Sequence, residues 1–566
     1  MQLNTQKLRQ AIEKNMLDFV SAKTFTNSPH EKNAELFFEK WFASVPYFAQ
    51  NPDLCGFDKI ENDPHQRAVP WCLLKGKGDK TVVLIHHSDT VNTQDYAKHQ
   101  IPEALALDPH ALTQAFQDDN YGVLSRASET VKRDAKSGEW LFGRGVADMK
   151  GGGAIHLALL EQYAANSENF EGNIVLLSVP DEENLSAGML HAVHRLKTLK
   201  QTHNLDYVLC MDVEAHERES DGRAIYYDGS IGKMMPLVYA RGKVTHVGMI
   251  YGGLNPVNIV GEIVRQTECG RDWIFVTDNS VAPPPTWLYV RDTKSEYEVS
   301  IPGAAWGAMN ILTLTESPQI IMKRLEKTAK KAFAKVVRGL QQSYDRFYAL
   351  NVERGNTVAD ARPSWQPKVV HYADLYKEAR KDFGDAFTDA YNKTVDALKT
   401  QKKTPIEGAV SIIETTLKFI KDPSPVVVLA LIPPLYPCVG NKVFGEKTNK
   451  AKADRVTWVL KQAAEFTNME LNEGCRVKEY YNGISDLSYA MFPFGKSVRK
   501  YIDANMLYSG TYTLPLDLIE EISMPVLNIG PWGKDIHKYT ERIYLPDLYG
   551  NTPLVTDFII TRLLKG

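Results

Sequence analysis

A chain of 566 residues, 43% hydrophobic and 24% charged, has the make-up of a folded globular protein and exceeds one typical core, so two or more domains are expected. Its net charge of −3 makes no electrostatic case for nucleic acid or an anionic membrane as partner. The opening MQLNTQKLRQAIEKNMLDFV lacks the unbroken apolar core of a signal peptide, and the most apolar run, Pro425 to Ile432, is too short to span a bilayer. Six cysteines lie far apart with no CxxC pair, which excludes a cysteine-based zinc ribbon and fits reduced thiols in a cytoplasmic protein.

In chain order, helical patterns cover about 5–20 and 30–45. Strands follow at Val69–Leu74 and Thr81–His86, a helix at about 150–165, then strands at Asn173–Val179 and Tyr207–Met211. Apolar strands interleaved with helices predict an α/β sheet, mostly parallel and buried on both faces. From about 229 the texture changes: strand-like IGKMMPLVYARG, helical NPVNIVGEIVRQTE, more strand, and a helix near 317–340 predict an inserted α+β unit over 229–375. KVVHYADLY reads as one more strand, and two polar helices follow before about 423. The α/β texture returns with Val426–Ile432, a helix near 449–467, strands at Arg476–Tyr481 and Met524–Ile529, and a closing helix. The first domain is therefore expected to be discontinuous, 1–228 with 376–566.

Ligands and catalytic groups of α/β sheets gather beyond the C-terminal ends of the strands. Five such places carry metal-type side chains: His87-Ser88-Asp89 after TVVLIH, Asp148 in GRGVADMKGGG, Asp181-Glu182-Glu183 after GNIVLLSVP, Asp212 ending DYVLCM, and His537 after PVLNIG. Taken singly, such a histidine is usually a core residue, such an aspartate a helix N-cap, and an acid pair solvated surface. Together they make the imidazole-and-carboxylate set that zinc accepts. Other motifs fail: FGKS lacks the first glycine of a phosphate loop, GRGVAD has Asp148 where a dinucleotide fingerprint needs glycine, and no Gly-x-Ser-x-Gly occurs.

HHSDTV, GRGVADMKGG, DEEN, DYVLCMD and GPWGKDIHKYTE resemble, in order, the signature blocks of a cocatalytic zinc hydrolase family. That family includes acetylornithine deacetylase, succinyl-diaminopimelate desuccinylase, aminoacylase and carboxypeptidase G. Length and the PYFAQNP start resemble its RocB-type arginine-utilisation branch. The resemblance implies two zinc ions, with manganese or cobalt as alternatives. Asp148 would bridge them, His87 and Asp212 would complete one site, and Glu183 and His537 the other. Asp89, two residues beyond His87 on an extended chain, would orient the imidazole; His86 would point away. Glu182 would be the general base.

The inserted unit carries RGKVTHVGMIYGGLNPVN, which resembles the family's lid block. His246 would then stabilise the oxyanion and Asn255 would assist near the substrate, with lids pairing in a homodimer. Two positions depart from the pattern. Val299 and Leu312 stand where the lid usually has an asparagine and a carboxylate-gripping arginine, and Arg291 or Lys294 is the available substitute. ISDLSY matches a Gly-Gly-Thr-Asp turn only loosely, at Asp486. The expectation is a metal-dependent hydrolase that cleaves an amide C–N bond of an N-acyl amino acid or dipeptide, with arginine catabolism as the context the resemblance implies. A non-catalytic binding or regulatory protein on the same scaffold is the alternative, and the retained Glu182 favours the enzyme.

Overall fold

The computed structural model describes residues 3–400, 403–507 and 512–565. They form two compact units: Met1–Ile231 with Tyr436–Pro493 and Leu514–Gly566, and Gly232–Leu435 with Phe494–Thr513.

The first unit is built on an eight-stranded mixed sheet. Its central strands Glu171–Val179, Lys77–His87, Asp206–Asp212 and Val526–Asn528 run parallel; Ala68–Lys75 and then Cys55–Lys59 add by antiparallel pairing at one edge, and at the other Ala224–Tyr227 pairs antiparallel and carries Cys475–Lys478 in parallel. Alternate residues Val82, Leu84, Ile174, Leu176, Leu209 and Met211 share a core with helices Thr5–Ser21, Asn33–Ser44, Gly151–Ala164 and Thr552–Leu564. The intervening Val83, Ile85, Val175 and Leu177 are equally buried. Both faces are covered, which is why these strands read as continuous apolar runs. Gly152 lets its helix lie against the neighbouring strand end, since a Cβ there would sit 2.4 Å from the Val213 carbonyl oxygen.

The second unit has a five-stranded sheet, ordered Thr286–Asp292, Ala304–Thr313, Gly232–Arg241, Val426–Tyr436 and Val369–His371. Helices Pro256–Thr267 and Pro318–Val352 pack together, while Tyr372–Thr400 and Pro405–Leu417 share a core with Leu237, Tyr239, Trp306 and Val428. The boundary therefore differs from the 375/376 division expected from sequence. Val426–Tyr436, buried at every position, belongs to this sheet and pairs in parallel with Val369–His371. An apolar run of that kind suits any doubly covered sheet, so its periodicity could not assign it. Among the described residues, no helix is long and apolar enough to cross a membrane.

Candidate metal centre and active site

His87 closes the strand Lys77–His87. Its Nδ1–H donates to the Asp89 main-chain carbonyl at 2.9 Å, which turns Nε2 toward Asp148 Oδ1 at 2.9 Å and Glu214 Oε1 at 3.5 Å. Asp148 sits in the turn Val146–Lys150, entered through Gly145 at φ +77°. It does not cap the following helix; its second oxygen meets His537 Nε2 at 3.1 Å, and that nitrogen lies 2.9 Å from Glu183 Oε1. The result is a continuous array, Glu214–His87–Asp148–His537–Glu183. It comprises two groups of three ligand atoms, each group within 4.8 Å, that share Asp148. Two imidazoles and three carboxylates in this arrangement are a donor set that fits divalent metal.

Glu214, not Asp212, completes the group around His87. Asp212 and Glu214 are two residues apart at the end of an extended strand, but the Asp212 carboxylate is engaged elsewhere, by Ser485 Oγ and by Val213 N–H at 2.9 Å. The D-x-E spacing at 212–214 was the signal that could have raised Glu214. Asp89 lies beside His87 as expected and has a second set of partners. Its carboxylate lies 3.6 Å from His87 Nδ1, whereas its two oxygens accept the consecutive backbone N–H groups of Glu182 and Glu183, each at 3.2 Å. The main-chain carbonyl orients the imidazole, and the carboxylate braces the turn that bears both glutamates. Glu541 acts similarly on the opposite turn: Oε1 accepts N–H of Ala147 and Asp148 at 3.2 and 3.3 Å, and Arg144 holds Oε2 at 2.5 Å.

Burial opposes the charge on Asp148, yet hydrogen bonds from His537 and His87 hold its carboxyl well below the usual range. Its partner His537 is correspondingly pushed up to about 10 by its bonds to Asp148 and Glu183. Glu182 is raised well above an ordinary glutamate, first by burial and further by Asp486, Glu183 and Asp148, with His87 opposing. Asp486 is itself buried, and that burial pushes it up to about 8. His86 packs between Phe19, Phe38 and His156 rather than toward the array.

The two remaining site candidates lie in the second unit and there serve as caps. His246 Nδ1 accepts from Gly248 N–H at 3.1 Å, and Asn255 Oδ1 accepts from Val257 N–H at 3.0 Å at the start of Pro256–Thr267. Leu312 faces Lys233 in the strand register. Arg291 stacks on Trp306 and pairs with Glu407 at 3.1 Å, and Lys294 binds the carbonyls of Glu298 and Ser300, so both cations have local partners.

Residues 123–434 match the model of peptidase family M20/M25/M40. The chain is 33% identical over 527 residues to the uncharacterized protein YqjN of Bacillus subtilis, covering 92% of this chain and 90% of that one. It is 27% identical over 557 residues to protein RocB of the same organism, covering 97% and 94%. The fold is shared with the di-peptidase Dug1p from Saccharomyces cerevisiae, at TM-score 0.52 and 11% identity over 100% of this chain and 99% of that one. A family match over more than half the chain, together with a relative one-third identical across nearly all of it, shows that this chain belongs to the peptidase family M20/M25/M40, a family of metal-dependent hydrolases.

Proposed function

We propose that this protein hydrolyses the amide C–N bond of an N-acyl amino acid or dipeptide with a pair of zinc ions, which manganese or cobalt could replace. The observation that carries the reading is Asp148 shared between His87–Glu214 and Glu183–His537, with the half-buried Glu182 beside Glu183. Ions held there supply positive charge that polarises the scissile carbonyl and makes water easier to ionise. Glu182 takes the proton of the attacking water and passes it to the departing amine nitrogen as the C–N bond breaks. A carboxyl raised by burial can hold that proton between the two steps.

His246 is proposed to donate to the developing oxyanion and Asn255 to contact the substrate. His246→Ala should lower kcat by about 10²–10³ with little change in KM. The free state of all six cysteines supports a cytoplasmic setting. The exposed edge strand Thr286–Asp292, with Leu288, Tyr289 and Val290 each nearly half exposed, supports a homodimer. Arginine catabolism is the proposed context, from the likeness to RocB.

The test is hydrolysis of a panel of N-acyl amino acids and dipeptides, arginine derivatives first, by metal-loaded wild type and Glu182→Gln. Turnover that falls a hundredfold or more in Glu182→Gln with metal retained supports the reading. A metal-loaded wild type inert on the whole panel, or an active Glu182→Gln, overturns it.

A further inference from the structure

The turn that carries Glu182 and Glu183 is held from behind as well as by Asp89. Asp181, immediately before Glu182, has φ +74°, a conformation unfavourable for a residue with a Cβ. Its main-chain carbonyl accepts N–H from Asn184, Leu185 and Ser186 at 3.2, 3.1 and 2.7 Å. Its carboxylate accepts Asn184 Nδ2 at 3.2 Å and Ala187 N–H at 3.1 Å, the latter at the start of Ala187–His203. The remaining partner is Arg67, whose Nη1 donates to Asp181 Oδ1 at 2.6 Å.

Arg67 is only 4% exposed and gathers three carboxylates from separate segments. Besides Asp181, Nη1 donates to Glu31 Oε1 at 2.8 Å, Nη2 to Asp63 Oδ1 at 2.6 Å, and Nε to Asp63 Oδ1 and Oδ2 at 3.0 and 3.1 Å. Asp63 in turn accepts the Arg67 backbone N–H at 2.9 Å, which fixes the loop from which the guanidinium projects. Burial, then Asp89, pushes Glu31 up to about 9, with Arg67 opposing the rise. Such a bidentate, always-charged fork suits a site where several carboxylates must be held in fixed directions.

We propose that Arg67 is a positioning residue for the reaction: by holding Asp181 in its left-handed conformation, it aims Glu182 at the attacking water and Glu183 at one of the two ions. The proposal rests on the metal-hydrolase reading above and adds a residue about 115 positions away in sequence that touches neither substrate nor ions. The turn carries Glu183 but not His87 or Glu214. Loss of Arg67 should therefore affect one metal group and spare the other, a selectivity that general loosening of the fold would not produce.

Cobalt(II) alone is the probe, titrated into metal-free wild type, Arg67→Met and Arg67→Lys and followed by its visible absorbance, alongside kcat and KM on the best substrate of the panel. The expected result is one binding phase weakened about tenfold or more, the other within twofold, kcat lowered about a hundredfold and KM little changed. Adding Asp181→Asn to Arg67→Met should recover at least fivefold in kcat. Asparagine tolerates φ +74° better and leaves no unpaired buried charge. If Arg67→Met does not fold, Arg67→Lys is judged by the same criteria, because one ammonium cannot reproduce the fork. Both phases unchanged with kcat within threefold, or both phases weakened equally, overturns the proposal. Glu182→Gln in the same assay separates the two ideas: if it stays active, the base assignment fails, and the cobalt phases still decide on Arg67.

Discussion

Asp89→Asn tests which of two jobs the Asp89 carboxylate performs. In the structure each of its oxygens accepts one backbone N–H, from Glu182 and from Glu183, at 3.2 Å. An asparagine amide keeps one acceptor and sets an NH₂ group against the other N–H. Hydrogen bonds to a charged acceptor contribute about 1.5–3 kcal/mol, and the loss of one charge-assisted bond is the minimum effect on the turn. If that loss is felt in the transition state, kcat falls about 10- to 150-fold, at 1.36 kcal/mol per factor of ten. The 3.6 Å separation from His87 Nδ1, whose hydrogen goes instead to the Asp89 carbonyl at 2.9 Å, predicts that the imidazole keeps its orientation. Cobalt titration should therefore show the His87 group keeping its ion, while the Glu183 group binds more weakly and kcat drops. Weaker binding at the His87 group would show that the carboxylate acts through His87, and an unchanged kcat would refute the bracing argument altogether.

Glu214→Gln should weaken metal binding about 10- to 100-fold in a chelator competition, whereas Asp212→Asn should retain both ions; the reverse outcome would reinstate Asp212 as the ligand. Asp228, some 14 residues beyond Glu214, is pushed up to about 7 by burial. Its raised folded-state value means the native state binds an extra proton between about pH 4 and 7, so this group costs stability as pH rises through that window. Asp228→Asn should thus raise Tm at pH 8, a gain of at most about 4 kcal/mol that vanishes by pH 4; a gain that grows toward acid would contradict the sign. Gly152→Ala places a methyl 2.4 Å from the Val213 carbonyl oxygen, beside Glu214, and should cost about 1–3 kcal/mol by thermal unfolding and weaken metal binding as well.

The parts of this site that sequence reveals are those carried by single strand ends. His87, Asp148, Glu183 and His537 each follow a recognisable apolar run or glycine turn, and the structure draws all four into one array. What sequence could not decide depends on tertiary closure. Asp212 and Glu214 share a strand face by period two, and only Ser485, some 270 residues later, removes Asp212 from contention. The role of Asp89 turned on a 0.7 Å difference between its carbonyl and carboxylate distances to one nitrogen. Arg67 left no trace in any motif, because two of its three carboxylate partners, Glu31 and Asp181, come from distant segments. The strand Val426–Tyr436 shows the same limit at the level of the fold: its apolar run was legible, its sheet was not.

The chain leaves the first unit at Ile231 and returns to it only at Tyr436. His87, Asp148 and Glu214 are all encoded before that departure, whereas Glu183 waits for His537 near the end of the chain. The ligands of the first group are therefore made early, but the strand Val526–Asn528 that lies between Asp206–Asp212 and Ala224–Tyr227, His537, and the Glu541 that holds the Asp148 turn all emerge last, about 15–60 s later at about 5–20 residues per second. Neither group reaches its final setting until the last tenth of the chain is made.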